Sequence, residues 1–447
     1  MSTNSHRPRP PASTSSLPVA VIGAGPIGLV AAAHLLEAGE TPLLVEAGPT
    51  VGTSVREWSH VRLFSPWKYL IDPVAAGLLQ RQGWARPDPE HLPTGRELVE
   101  VLLEPLGDHP ALRPHIRFRR TVVGVSRQGM DKVKNSGRSD TPFQVITRGA
   151  DGITERCLVR AVIDASGTWT TPNPIGAGGL PVPGEQEHDD RIDYGIPDVL
   201  ARDREEYAGR RILVIGSGHS AFNVILDLVR LREAEPTTEV LWAVRRDEPG
   251  LMFGGGTRDA LPARGKLGAR LKGLVDSGQV AFVTSFRTQS VHTDGDGRLE
   301  IQGEGDRLIR SVDRIVATTG FRPDLSLLRE LRIELDPSLE APVRLAPMID
   351  PNLHSCGTVR PHGYEELKHP EPDAYVVGMK SYGRAPTFLM LTGYEQVRSV
   401  VAGLTGDMAS AREVRLTLPE TGVCSSDLPE AGCCGGTASA SRELLRT

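Results

Sequence analysis

The sequence predicts an α/β protein with two parallel-sheet domains, and three observations support this prediction. A short apolar run, a glycine turn, a helical stretch and a second apolar run follow one another twice along the chain. This order is typical of a parallel α/β unit. The length of 447 residues leaves room for two or three domains. No stretch approaches the ~18 consecutive apolar residues of a membrane span.

The composition is that of a globular protein, with 39% hydrophobic and 24% charged residues. It excludes wholesale disorder and fibrous repeats. A formal net charge of −5 gives no argument for a nucleic-acid partner. The odd count of five cysteines, without a secretory signal pattern at the start, argues against a disulfide scaffold. We therefore expect a soluble, cytoplasmic protein without a membrane or nucleic-acid partner.

The two ends of the sequence differ from its body. Residues 1–17 are rich in Ser, Pro and Arg, which predicts a disordered leader. A mitochondrial transit peptide is the alternative, although the prolines interrupt an amphipathic helix. Residues 406–447 are small, polar and cysteine-bearing, which predicts a flexible tail with one short ordered segment at 413–418.

The repeated pattern gives a set of predicted elements. The first unit has strands at 19–22 and 43–46, a helix at 27–38, and later candidate strands at 116–125, 143–147 and 155–163. The second unit has strands at 211–215 and 240–244, a helix at 221–232, and later candidate strands at 280–286, 299–302 and 307–315. Between the candidate strands of the first unit, residues 127–140 are polar and predict a hairpin loop. Thr94 and Glu97 have the spacing of a capping box.

The first glycine turn matches a dinucleotide-binding pattern in its expected context. Gly23 permits the tight turn, and Gly25 lets a pyrophosphate approach the backbone. Gly28 lets helix and strand pack closely, and Pro26 stands at the helix start. Glu46 ends the next strand, where its carboxylate can accept from both ribose hydroxyls. This combination predicts a dinucleotide site.

The second glycine turn contains Gly216, Gly218 and Ser220, with alanine at the third glycine position. Here the following strand ends in Arg245 and Arg246 instead of an acid. Guanidinium groups pair with a 2′-phosphate that a carboxylate would repel. The second turn therefore predicts an NADPH site.

A competing motif overlaps the second turn. Residues 218–222 resemble the GxSxG nucleophile elbow of an α/β-hydrolase, with Ser220 as the nucleophile. Phe222 replaces the last glycine, however, and no HGGG-like segment precedes the motif. A hydrolase also leaves the first dinucleotide turn unexplained, so the nucleotide-binding interpretation is favoured.

These motifs together resemble the flavoproteins with two dinucleotide-binding domains, such as flavin-containing monooxygenases, N-hydroxylating monooxygenases and thioredoxin-reductase-like enzymes. The string 315–324 (IVATTGFRPD) is similar to the return of that family to its FAD domain, and 164–167 (DASG) to the exit. Residues 374–378 and the helical 387–401 are similar to the last FAD strand and the helix facing the flavin.

The resemblance implies two Rossmann-like, three-layer domains, with the NADPH domain inserted into the FAD domain. It implies FAD-binding segments at 18–175 and 317–405, and an NADPH-binding domain at 176–316. It also adds Val122, Gly167, Gly320 and Gly378 to the expected cofactor-binding residues. In this family, NADPH reduces the flavin and the protein positions the two cofactors. A homodimer remains open.

The sequence also departs from individual branches of that family. No CxxC is present, so the dithiol of a thioredoxin reductase is absent. The monooxygenase fingerprint FxGxxxHxxxW/F is matched at 182–192 only in its glycine and histidine. The aromatic segment 58–67 follows the first unit. In the family that it resembles, the residues at this place line the isoalloxazine ring, so Trp67 is a candidate catalytic residue. Amphipathic packing is the alternative for this segment.

The cysteines fall into three groups. Cys157 lies on an apolar candidate strand and is expected to be buried. Cys356 is the second candidate catalytic residue, as a thiol near the flavin; a zinc site with His362 and His369 is the alternative. In the tail, Cys424, Cys433 and Cys434 can converge on a soft metalloid such as As(III). Incidental thiols are the simpler interpretation.

The tail is similar to those of flavoproteins associated with arsenical resistance, and the GCCG arm is similar to that of mercuric reductase. The sequence therefore predicts an NADPH-dependent FAD oxidoreductase. The expected reaction uses molecular oxygen to oxygenate a small substrate, either a soft heteroatom compound or a trivalent arsenical. The alternatives are a thiol or metal(loid) reductase, and a flavin-containing redox sensor or metalloid-binding protein.

Overall fold

A computed structural model describes residues 16–247, 253, 262–353, 362–386 and 388–416. The described strands form two five-stranded parallel sheets and two three-stranded antiparallel sheets. This confirms the predicted α/β class with two Rossmann-like units. Within the same ranges, no helix is both long and apolar enough to cross a membrane.

The strands are, in chain order, β1 (Val19–Ile22), β2 (Pro42–Val45), β3 (Ile116–Arg117), β4 (Arg120–Arg127), β5 (Phe143–Gly149), β6 (Thr154–Val159), β7 (Ala161–Asp164), β8 (Ile192–Tyr194), β9 (Arg211–Ile215), β10 (Glu239–Ala243), β11 (Ala281–Val283), β12 (Thr288–Thr293), β13 (Leu299–Gly303), β14 (Leu308–Val312), β15 (Arg314–Ala317) and β16 (Ala374–Val376).

The helices are α1 (Pro26–Glu37), α2 (Thr53–Glu57), α3 (Pro73–Gln80), α4 (Gly95–Leu98), α5 (Glu104–Gly107), α6 (Arg204–Tyr207), α7 (His219–Ala234), α8 (Pro262–Asp276), α9 (Ala346–Ile349), α10 (Met390–Leu404) and α11 (Met408–Arg412). A π-helical turn over Val99–Leu103 connects α4 and α5. The capping box of Thr94 and Glu97 is confirmed at the start of α4.

The first parallel sheet has the order β16-β7-β1-β2-β3. Alternate residues of β1 face opposite sides, as strand geometry requires. Val19 and Val21 pack against the helices, including α1 and α10, whereas Ala20 and Ile22 pack against the antiparallel sheet β4-β5-β6. Burial on both faces explains the continuous apolar run from which the strand was predicted.

The second parallel sheet repeats this three-layer arrangement with the order β11-β10-β9-β15-β8. Ile212 and Val214 of β9 pack with α7, whereas Leu213 and Ile215 face the sheet β12-β13-β14. Every strand of this second unit lies in the sequence between β7 and β16 of the first sheet. The second unit is thus inserted into the first.

Three long predicted strands are wrong in one respect, because each divides where the chain leaves one sheet for another. Residues 116–125 divide into β3 and β4 around Arg119, which has a φ of 55°. Residues 155–163 divide at Arg160, and residues 307–315 divide at Asp313. β8 and β12 lack a clear apolar pattern and are not predicted. α8 is also not predicted, although Leu267, Leu271, Leu274 and Val275 have helical spacing and pack on the core of the second unit. Of the segment predicted at 413–418, the described residues 413–416 form no regular element.

The predicted loop at 127–140 does connect β4 to β5, but two of its arginines are buried. Arg127 and Arg138 are 2% and 4% exposed, and both contact Glu371, which is 1% exposed. The Arg127 Nε–Glu371 Oε1 distance is 2.8 Å, and the Arg138 Nη2–Glu371 Oε2 distance is 2.6 Å. The Arg127 guanidinium also lies 3.6 Å from the ring centroid of Phe143. This arginine–glutamate–arginine cluster joins the antiparallel sheet to the segment preceding β16.

Candidate functional site: two glycine turns and their connections

The first glycine turn has the geometry that the sequence predicts. Gly23 has a φ of +95°, and a Cβ there would lie 2.9 Å from the Ser166 Cα. A Cβ on Gly28 would overlap the carbonyl oxygen of Gly23, so the strand and helix can pack only around glycine. Gly25 instead faces open space, with nothing within 4 Å of an added Cβ. That space lies at the N-terminus of α1, where backbone amides favour a phosphate.

Glu46 lies directly after β2 and is 9% exposed. Its Oε2 accepts the Ala24 amide and its Oε1 accepts the Gly48 amide, both at 2.7 Å. These bonds fix the carboxylate beside the turn. Each ionised carboxylate oxygen has two acceptor sites, so one site on each remains for a ribose hydroxyl.

The second glycine turn repeats the first. Gly216 has a φ of +134°, and a Cβ there would overlap the carbonyl oxygen of Thr318. Gly218 precedes α7 and, like Gly25, has nothing within 4 Å of an added Cβ. Ser220 lies in the first turn of α7. Phe222 is 2% exposed and packs on Trp242 at 5.9 Å, which gives it a core role rather than a place in a nucleophile elbow.

Arg245 and Arg246 follow β10, the strand next to β9 in the second sheet. Ala243 is in register with Ile215, so Arg245 and Arg246 lie just beyond the carboxyl end of β10, beside the second turn. Arg245 is exposed, and the backbone oxygen of Arg246 accepts the Ser285 amide at 2.8 Å. Both arginines therefore follow the strand next to the second turn, at the carboxyl edge of the second sheet.

A buried ion pair near the first turn was missed by the sequence reasoning. Asp164 ends β7 with 0% exposure, and Lys380 follows β16 with 2% exposure. The Lys380 Nζ lies 2.7 Å from the Asp164 Oδ2 and 2.9 Å from the Ser166 Oγ. The sequence shows Asp164 as an acid at the end of an apolar strand, but this pattern does not indicate which distant residue pairs with it.

Gly378 lies beside this ion pair, at the end of the last strand of the first sheet. Its φ is +71°, and a Cβ there would lie 3.1 Å from the Ile27 Cγ1 of α1. Its amide donates to the Gln396 Oε1 of α10 at 2.7 Å. β16 and α10 thus meet the first glycine turn, as the family resemblance implies.

The connections between the two units contact each other. Gly320 has a φ of +86°, and its carbonyl oxygen accepts the Asn173 amide at 2.9 Å. The Asn173 Nδ2 donates to the Thr319 oxygen at 3.2 Å. Trp169 stacks on Phe321 with 4.6 Å between ring centroids. Gly167, with a φ of +72°, begins the outgoing connection. The outgoing and returning chains therefore form one paired link.

In the aromatic segment 58–67, one aromatic side chain is buried in the core of the first unit and another contacts the inserted unit. Trp67 is 1% exposed within the core of the first unit. Such burial gives Trp67 a packing role and does not support direct contact with a substrate or cofactor. Phe64 instead lies 5.5 Å from the His219 ring at the start of α7. Phe64 is therefore the aromatic side chain that reaches the second glycine turn.

Val122 is 8% exposed and packs between the antiparallel sheet and the first parallel sheet. Cys157, expected to be buried, is only half-buried on β6. The other four cysteines, Cys356, Cys424, Cys433 and Cys434, lie outside the described residues.

The two histidines of the alternative zinc site have separate surroundings. The His362 Nε2 lies 2.9 Å from the Gln396 Nε2, whereas the His369 Nδ1 lies 3.3 Å from the Glu334 amide nitrogen. Burial lowers the pKa of His369 to about 4. No group of three or more His, Cys, Asp or Glu residues that could hold a metal occurs in the described ranges.

Comparisons with known proteins agree with this architecture. A model of an NAD(P)-binding Rossmann-like domain matches residues 21–80, which contain the first turn. The flavin-containing monooxygenase FMO GS-OX-like 2 of Arabidopsis thaliana is 25% identical over 246 residues, which are 49% of this chain and 49% of that protein. The chain spans between 35% and 50% of the length of the curated relatives it matches.

Two solved structures share the fold over most of the chain. The bacillithiol disulfide reductase Bdr (YpdA) from Bacillus cereus has a TM-score of 0.65 at 18% identity, covering 88% of this chain and 99% of that one. DfoA bound to FAD, the cadaverine monooxygenase from Erwinia amylovora, has a TM-score of 0.61 at 15% identity, covering 92% and 99%. At these identities the likeness establishes the fold.

Proposed function

We propose that the chain is an NADPH-dependent FAD oxidoreductase, with FAD on the first unit and NADPH on the inserted one. The observation that carries this proposal is the repeated turn: Gly25 and Gly218 each open to free space at a helix N-terminus, on two separate parallel sheets. The DfoA structure, similar in fold, is described as bound to FAD. The proposed boundaries are 18–175 and 317–405 for FAD and 176–316 for NADPH.

Each residue of this site has a definite task. The amides at the start of α1 bind the pyrophosphate of FAD, and Glu46 accepts from its ribose. The amides at the start of α7 bind the NADPH pyrophosphate, while Arg245 and Arg246 pair with its 2′-phosphate. When bound, FAD supplies the electron-transfer chemistry, since it accepts hydride from the nicotinamide. The protein supplies position and charge.

The direct test is the cofactor content of the purified protein. We expect stoichiometric FAD, measured by its visible absorbance after denaturation, and FAD-dependent NADPH oxidation. A protein that takes up no FAD under any reconstitution condition would contradict the proposal.

Arg245→Ala should raise the KM for NADPH by about tenfold or more and leave the KM for NADH nearly unchanged. The reason is the loss of a charge-assisted pairing with the 2′-phosphate, worth about 1.5–3 kcal/mol. Initial-rate kinetics with both nucleotides measure this. Arg287→Ala is the matched control, because Arg287 is also exposed but pairs with Glu304 at 3.2 Å. Equal effects of Arg245→Ala on both nucleotides would exclude the assignment.

We further propose that the reduced protein transfers electrons to molecular oxygen and oxygenates a soft heteroatom. The support is the similarity to flavin-containing monooxygenase FMO GS-OX-like 2, together with the glycine and histidine of the fingerprint at 182–192. Product analysis with a panel of arsenicals, thiols and amines separates the alternatives. An oxygenated product would indicate a monooxygenase. A reduced product without oxygen consumption would indicate a reductase, and negligible turnover would indicate a redox sensor.

We propose a trivalent arsenical as the substrate, because the tail contains three cysteines. Thiolates are soft ligands suited to a soft metalloid, and Cys424, Cys433 and Cys434 stand close in sequence. As(III) binding, measured by calorimetry, should fall by about a hundredfold or more in the variant with all three changed to serine, since each lost thiolate removes a ligand. Cys157→Ser should bind like the parent. Equal binding by the parent and the triple variant would exclude the tail as the site.

A further inference from the structure

A nucleotide bound to the second unit would point its nicotinamide half towards the first unit. In the second sheet, β10 lies on one side of β9 and β15 on the other. Arg245 and Arg246 follow β10, so the adenosine half with its 2′-phosphate belongs to that side. The nicotinamide half must then cross the carboxyl end of β15, from which the returning connection leads to Phe321.

Residues 57–64 of the first unit lie at this same end of the second sheet. The Glu57 Oε2 accepts the Trp169 indole N–H at 2.6 Å, and the Trp58 ring centroid lies 6.5 Å from that of Trp169. Trp169 stacks on Phe321, which follows the end of β15 by four residues. This segment of the first unit therefore borders the path of the nicotinamide half and not that of the adenosine half.

Phe64 extends this border to the second glycine turn. Its ring centroid lies 5.5 Å from that of His219, the first residue of α7. The N-terminus of α7 is the place proposed for the NADPH pyrophosphate, and the nicotinamide ring is joined to that group through a single ribose. Phe64 is therefore within reach of the nicotinamide ring of a nucleotide held by α7.

The Phe64 ring has surface available for such a contact. It is half-buried and, within the described ranges, packs in none of the four hydrophobic clusters. Trp58 and Trp67 of the same segment instead pack with the core of the first unit. A ring with open surface beside a nucleotide turn suits a flat aromatic ligand, because aromatic rings attract each other in offset-stacked arrangements.

We propose that Phe64 is a nicotinamide-binding residue, whose ring packs against the nicotinamide ring of NADPH and orients it towards the flavin. This inference rests on the proposed function, because it assigns NADPH to the inserted unit and FAD to the first. Hydride transfer requires the two reacting atoms to lie about 3–3.5 Å apart. A contact from the unit that holds FAD fixes the nicotinamide relative to the flavin, which contacts from α7 alone do not.

The test compares two nucleotides that differ only in the nicotinamide ring. NADP⁺ has this ring and 2′-phospho-ADP-ribose lacks it, so the ratio of their affinities isolates its contribution. In the oxidised, FAD-loaded protein, Phe64→Leu should weaken NADP⁺ binding by about three- to tenfold, as loss of an aromatic pair predicts, and leave the binding of 2′-phospho-ADP-ribose unchanged. Calorimetric titration measures both affinities without turnover. Phe64→Tyr keeps the ring and should bind both nucleotides like the parent.

Phe118→Leu is the matched control, because Phe118 follows the edge strand β3 and packs on the core of the first unit, so this change should affect neither affinity. Unchanged NADP⁺ binding by Phe64→Leu, or an equal loss for both nucleotides, would overturn the inference and leave the proposed function intact. Equal affinities of the parent for the two nucleotides would also overturn it, whether or not the variant folds. A parent that binds neither nucleotide would overturn the proposed NADPH site as well.

Discussion

Gly25→Ala should leave the protein folded and remove most of its affinity for FAD. An added Cβ at this position meets no atom within 4 Å, and the φ of −79° is one that alanine adopts. The same Cβ fills the space through which the pyrophosphate would approach the helix amides. We expect FAD binding to weaken by about a hundredfold, since overpacking costs up to about 3 kcal/mol. Fluorescence titration of the deflavinated protein measures the change.

Gly28→Ala is the matched comparison, because it adds the same methyl group three residues away. There the Cβ overlaps the Gly23 carbonyl oxygen, so strand and helix must separate. We expect a loss of about 3 kcal/mol in the free energy of unfolding, whereas Gly25→Ala should lose no more than about 1 kcal/mol at its N-cap position. If both variants lost FAD and stability in parallel, Gly25 would have no special relation to the cofactor.

Glu371→Ala should cost about 3–5 kcal/mol in the free energy of unfolding, because it leaves two buried guanidinium groups without their shared anion. The two cations, Arg127 and Arg138, are 2% and 4% exposed. Urea unfolding of the deflavinated protein measures this free energy. Glu300→Ala is the control, since its ion pair with Arg310 is largely exposed and should be worth less than about 1 kcal/mol. Equal losses in the two variants would contradict the role of burial.

The same carboxylate gives a pH dependence with a defined sign. Burial alone would raise the pKa of Glu371, but hydrogen bonds from Arg138, Arg127 and the Arg332 amide outweigh burial and hold this pKa below its usual range. A lowered pKa stabilises the folded state at pH values above the unfolded pKa of about 4.3. The stability difference between parent and Glu371→Gln should therefore shrink as the pH falls below that value.

Local patterns predicted the two glycine turns and the strands next to them. The turn at Gly23 and its strand β1 can be recognised because both faces of that strand are buried and the helix follows at once. The same reasoning located Arg245 beside the second turn. These features depend on neighbours within a few tens of residues, which a sequence pattern records.

Features that depend on distant partners could not be predicted in this way. Lys380 pairs with Asp164, and Arg138 with Glu371, and in both cases the whole inserted unit lies between the partners in the sequence. The loop at 127–140 was predicted correctly, but its polar sequence does not indicate that Arg127 and Arg138 are buried against Glu371. Similarly, Trp67 is buried in the core of the first unit, whereas Phe64 of the same aromatic segment contacts the His219 ring of the inserted unit.

The position of β16 has a consequence for how the chain acquires its structure during synthesis. β16 pairs with β7 at the edge of the first sheet, and all strands of the second unit emerge from the ribosome between them. The inserted unit can therefore fold from contiguous chain, whereas the first sheet lacks its edge strand until residue 376 has been made. Because Gly378 follows that strand, the proposed FAD site is completed last. A chain interrupted before this point would carry a complete inserted unit and a first sheet without its edge strand.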